Sequence, residues 1–81
     1  MHFEFSVKGY AEYESLSIVL KRAADKQLIF LVKDLRHPSL HAKKYDEAMG
    51  LWQARINKSW RLYFFILDKK YYIVSIRKHS K

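Results

Sequence analysis

Arg55, Arg61, Ser75, Arg77 and His79 share one parity across three short runs, LWQARIN, WRLYFFILD and YYIVSIRKH, between residues 51 and 79. Successive side chains of a strand point to opposite faces. Strict alternation therefore places Gln53, Arg55, Arg61, Tyr63, Ser75, Arg77 and His79 on one side, and Trp52, Ala54, Ile56, Leu62, Phe64, Ile66, Tyr72, Val74 and Ile76 on the other. Guanidinium groups neutralise developing negative charge, an imidazole exchanges protons near neutral pH, and aromatic rings such as Tyr63 and Phe65 offer a surface on which bases stack. A face built this way holds a polyanion. Arg55, Arg77 and the adjacent Lys78 suit contacts to a nucleic-acid backbone, because phosphate contacts position a strand while few residues react.

The elements that must position these groups are legible in outline. Phe3, Phe5 and Val7 alternate with polar residues, the period of a half-buried first strand, with Gly9 as its end. Between Tyr10 and Arg36 there is no Gly or Pro, and Tyr13, Leu16, Leu20, Ala24, Leu28, Leu31 and Leu35 recur at steps of three or four. This apolar stripe fits one long helix, or two with a break near Asp25 to Gln27. Pro38 stops helix by His37, and HPSLHAKKYDEAMG reads as a loop or irregular edge. Gly50 then launches the three runs, whose connections around Lys58 and Lys69 are short enough for an antiparallel meander. The expected fold class is α+β, with a small antiparallel sheet of the N-terminal strand and the C-terminal meander packed on one or two N-terminal helices.

A chain of 81 residues is one domain, residues 1–81, and a domain this small buries only about 60% of the surface its unfolded chain exposes. Hydrophobic content of 49% with two Gly and one Pro excludes a disordered, low-complexity reading. The net charge of +8 is unevenly placed. Residues 1–40 carry six basic and five acidic side chains, whereas residues 41–81 carry ten and three, so the excess lies with the meander and draws phosphate-rich or acidic partners. With no cysteine, neither a disulfide framework nor a thiolate metal site is available. His37 and His41 are four apart, but Pro38 and Ser39 break the helix that would put both on one face, and no carboxylate completes a set; no metal is expected. No run is long enough for a membrane span and the N-terminus lacks an apolar signal region, so a cytoplasmic location is expected.

The order of residues resembles the RelE/ParE superfamily of small toxins from toxin-antitoxin pairs. The resemblance covers nearly the whole chain: the His37-Pro38 turn, Gly50-Leu51-Trp52-Gln53-Ala54-Arg55-Ile56, Trp60-Arg61-Leu62-Tyr63-Phe64 and the ending Ile76-Arg77-Lys78-His79. Members that cut messenger RNA and members that poison DNA gyrase share this scaffold. The branch that looks most similar contains ribosome-dependent messenger RNA endonucleases of the RelE and YoeB kind.

That resemblance implies an Arg at position 61 on the scissile phosphate and His79 as general acid or base. The reaction would be attack of an RNA 2′-hydroxyl on its neighbouring phosphate, needing no metal or other cofactor, on messenger RNA in the ribosomal A site. The segment before the Gly-x-Trp turn would supply a base or a phosphate contact, from the carboxylates Asp46 and Glu47 or the lysines Lys43 and Lys44. A cognate antitoxin is implied as partner, and with it a toxin-antitoxin hetero-oligomer. Two other outcomes stay open on the residues alone: a gyrase inhibitor, which asks nothing catalytic of His79, and an inactive toxin homologue that only binds an antitoxin.

Overall fold

The computed structural model describes residues 1–79. Along the chain come β1 (His2–Phe5), α1 (Val7–Glu14), α2 (Ile18–Lys33), a 3₁₀ turn (Pro38–Leu40), β2 (Lys43–Asp46), β3 (Leu51–Arg55), β4 (Trp60–Leu67) and β5 (Lys70–Lys78). One sheet in the order β1-β5-β4-β3-β2 forms the fold. The class is α+β, as the sequence predicts, but the sheet is mixed. β1 runs parallel to β5, with Phe3 opposite Tyr71 and Phe5 opposite Ile73. A chain that leaves β1 through two helices returns by crossover, not hairpin, and crossover permits parallel pairing.

The helical region breaks at Ser15 to Ser17, not near Asp25 to Gln27. Serine hydroxyls set both starts: Ser6 Oγ accepts from the Gly9 N–H (3.0 Å) and Ser17 Oγ from the Leu20 N–H (3.2 Å), each satisfying a first-turn donor. The apolar stripe continues across the break, which is why periodicity alone does not reveal it. Leu16, Ala24, Leu28 and Leu31 are buried against Leu62, Phe64, Ile73 and Ile76 of the sheet.

β1 ends at Phe5, and Gly9 sits inside α1, where a Cβ would collide with the Ile73 carbonyl oxygen. This close approach lets α1 cover the outer edge of β5 where β1 stops. The Ser6 N–H donates to Ile73 O (2.9 Å), and Glu12 Oε1 accepts from the Ile76 N–H (2.8 Å) and the Ser75 hydroxyl (3.0 Å). Two backbone groups on that edge of β5, Ile73 O and the Ile76 N–H, are thus answered. Burial alone would raise the Glu12 carboxyl, but its hydrogen bonds with Lys8, Ile76 and Ser75 win and hold it below the usual carboxylate value.

Two departures from strict alternation bear on the site. β4 and β5 pair Tyr63 with Ser75 but Phe64 with Ile73, so Val74 is an extra residue and the parity of β5 flips. Tyr71 and Ile73, not Tyr72 and Val74, face the core, while Ser75, Arg77 and Ile76 keep the sides expected of them. The second departure is β2 itself, a four-residue edge strand within the stretch read as a loop or irregular edge. Its residues KKYD carry no apolar alternation, and its register with β3 shifts between Lys44 and Asp46.

Candidate functional site

The β3–β4 hairpin builds the site's centre. Asn57 Oδ1 accepts from the N–H groups of Ser59 and Trp60 (both 2.9 Å), fixing the turn. Arg61, the second residue of β4, folds back on that turn, and its Nη1 donates to the carbonyls of Asn57 (2.9 Å), Trp60 (3.1 Å) and Lys58 (3.2 Å). Only 6% of Arg61 is exposed. Its guanidinium pKa is pushed down, first by burial and then by the neighbouring Arg55 charge, yet an arginine remains a cation under such pressure. One nitrogen is anchored, which fixes the orientation of the planar group at the edge of the cleft.

Across the sheet Arg55 lies opposite Arg61, and Arg61 opposite Arg77. Three guanidinium side chains therefore stand in one row over three adjacent strands. Like charges directly opposite each other destabilise a sheet, and among the described residues none of the three forms an ion pair with a carboxylate. The next row is Gln53, Tyr63 and Ser75, all at most 7% exposed. Tyr63 is covered: the Arg77 guanidinium lies 4.4 Å from its ring centre and Tyr45 meets it edge-on at 5.0 Å. It supports Arg77 by a cation–π contact and is not an open stacking platform. Phe65 pairs with Tyr72 further along the strands, away from the Arg row.

The backbone of His79 extends the ladder past β5, its N–H donating to Ser59 O (2.6 Å). Its side chain lines a cleft of about 410 Å³ together with Arg61, Arg55, Gln53, Lys43 and His41. It also borders a smaller cleft of about 150 Å³ with Arg77, Lys78, Tyr63 and Tyr45. Arg61 and His79, the two residues singled out for chemistry, thus share one open cavity. Of the four expected from the preceding segment, Lys43 reaches it. Lys44 stands on the opposite side of β2, with Nζ 5.9 Å from the Trp52 ring centre, and Glu47 borders a different depression. Asp46 turns its carboxylate to the Met49 N–H (3.2 Å) and caps the β2–β3 turn.

Two residues of the site were not expected there from the sequence: His41, weighed only as half of a metal pair with His37, and Gln27. His41 is exposed and adopts a left-handed backbone (φ 46°) directly after the 3₁₀ turn, a conformation uncommon outside glycine and often found at working sites. Leu40, fully buried, pins that turn to the core. Gln27 of α2 does the rest: its Nε2 donates to Ser39 O (3.0 Å) and Arg55 O (2.9 Å), and its Oε1 accepts from the Ser39 hydroxyl (3.2 Å). One buried amide therefore joins the His41 turn to the end of β3. The signal in the sequence was present only as a polar residue on the apolar stripe. His37 has a structural explanation: its Nδ1 accepts from the Ser39 N–H (3.2 Å) and its ring stacks on Phe30 at 3.8 Å.

Among solved structures, several bacterial toxins share this fold. A YoeB/ParE toxin from Agrobacterium tumefaciens superposes with a TM-score of 0.82 at 13% identity, over 99% of this chain and 100% of that one. The YoeB-YefM complex from Staphylococcus aureus gives 0.78 at 18% identity (99% and 98%), and the E. coli RelBE toxin-antitoxin complex 0.70 at 14% (99% and 98%). No protein-family model matches the sequence, and no curated protein matches it. The chain has the fold of the RelE, YoeB and ParE toxins, and at these identities the likeness is one of fold.

Proposed function

We propose that the protein is the toxin of a toxin-antitoxin pair and that it acts as an endoribonuclease on messenger RNA in the A site of translating ribosomes. The observation that carries this reading is the row Arg55-Arg61-Arg77, unpaired with acid among the described residues and bordered by His79. A sheet that sets three like charges side by side gains stability when a phosphate group arrives between them.

The chemistry follows from the groups in the cleft. A base removes the proton of a 2′-hydroxyl, the oxygen attacks the adjacent phosphorus, the bond to the 5′-oxygen breaks, and an acid returns a proton to that leaving oxygen. A 2′,3′-cyclic phosphate and a free 5′-hydroxyl result. His79 supplies one proton transfer and His41, across the same cleft, the other, while Arg61 and Arg55 neutralise the charge on the pentacovalent phosphorus. DNA could occupy the site but lacks the nucleophile.

Solved neighbours include YoeB-YefM and RelBE complexes. A cognate antitoxin with an acidic segment would answer the +8 charge of this chain. The site of action is then the cytoplasm, where ribosomes are found.

Primer extension on RNA from cells expressing the chain tests the reading. New 5′ ends inside reading frames are expected, absent with Arg61→Ala or His79→Ala. Intact transcripts accompanied by DNA breaks would replace cleavage with gyrase inhibition, and full cutting by both variants would remove Arg61 and His79 from the mechanism.

A further inference from the structure

The cleft that holds Arg61 and His79 does not end at β2. His41, Ala42 and Lys43 form a shared wall, and beyond it lies a second depression of about 710 Å³ that also takes in Arg36, His37, Lys44 and Trp52. We infer that this depression is a second nucleotide subsite, into which the RNA strand passes around the free edge of the sheet at β2. The inference rests on the reading of the protein as an RNA-cleaving toxin, and it adds where the strand beyond the reacting phosphate is held.

Charge is the first argument. Arg36, Lys43 and Lys44 border the depression, Glu47 is the one carboxylate on its rim, and among the described residues none of the three cations is engaged in an ion pair. The register of β2 sets Lys43 opposite Gln53 and Lys44 opposite Trp52. Consecutive lysines thus serve opposite sides of one edge strand, the arrangement needed if a phosphate backbone bends from one face to the other.

Flat surfaces supported from behind are the second argument. His37 is stacked on Phe30 with rings 3.8 Å apart and 8° from parallel, and its Nδ1 is held by Ser39. Trp52 is backed by Phe64 at 6.2 Å and 20°, with Lys44 Nζ over its ring at 5.9 Å. Rings fixed in this way accept a base with little further loss of freedom. A single nucleic-acid strand uses both features at once, cations without carboxylate partners along its backbone and fixed rings against its bases.

The test compares a dinucleotide with a hexanucleotide, each 2′-O-methylated at the reacting position to block cleavage, by fluorescence anisotropy over a salt series. Combining Arg36→Ala with Lys44→Ala should weaken hexanucleotide binding about tenfold and lower the salt slope by about 1.4, two phosphate contacts' worth on a single strand. Dinucleotide binding should not change. His37→Ala should weaken the hexanucleotide while leaving the slope as it was. Hexanucleotide affinity and slope unchanged in all variants would overturn the subsite, as would normal binding combined with slower cutting on ribosomes, which would assign the patch to ribosomal RNA. The parent reading fails differently: Arg61→Ala and His79→Ala would then cut as the natural protein does.

Discussion

Arg61 combines two roles in one side chain. Nη1 closes the β3–β4 turn through three carbonyls, and the same side chain lines the cleft. A lysine has the charge but neither the planar fork nor enough donors to do both. Arg61→Lys should therefore lower the cleavage rate by roughly 10²–10³-fold, the usual loss when one preorganised donor is removed; an unchanged rate would show that charge alone suffices. Glu12 gives a pH signature. Its folded pKa lies below the ordinary value of 4.5, so its contribution to stability is complete above that value and is lost as pH falls through the folded one. Glu12→Gln should cost about 1–2 kcal/mol in urea unfolding at pH 7, and the gap should narrow as pH falls below the ordinary carboxylate value; a pH-independent gap would contradict the role of the charge. Arg55, Arg61 and His79 were legible as a group because parity survives at both ends of the meander. His41 was not, since its place depends on a left-handed residue after a 3₁₀ turn and on Gln27 from another element.

Helix starts, strand edges and turns are where sequence patterns were weakest. Phe3 and Phe5 mark β1 by alternation, but alternation says nothing of direction, so parallel pairing with β5 was hidden. The Val74 bulge inverted the assignment of Tyr71 to Val74 for a related reason: one additional residue puts the two sides of the bulge out of phase, so a parity read back from Ser75 to Arg77 fails before it. The two glycines separate steric from conformational demands. Gly9 is needed because α1 touches the β5 backbone, and Gly9→Ala should destabilise by about 3 kcal/mol as helix and strand part. Gly50, at φ +75° in open space before β3, should cost only about 1 kcal/mol on conversion to Ala. Thermal unfolding of the two variants ranks them, and equal losses would remove the close approach as the reason for Gly9.

At the level of the whole molecule, a small body with a radius of gyration of 11.5 Å packs its helices on one face of the sheet around the apolar core, and leaves Arg55, Arg61 and Arg77 on the other face and Lys43 and Lys44 at the β2 edge. Uneven charge in the sequence anticipated that division. The strand order has a temporal consequence. β5 is synthesised after every other element, yet it sits inside the sheet between β1 and β4, so neither the core nor the arginine row is assembled while it is still in the exit tunnel. Chains stopped before residue 70 should show no cooperative unfolding transition and no toxicity. On the proposed function, the ribosome making the chain would meet no assembled arginine row until β5 has left the tunnel.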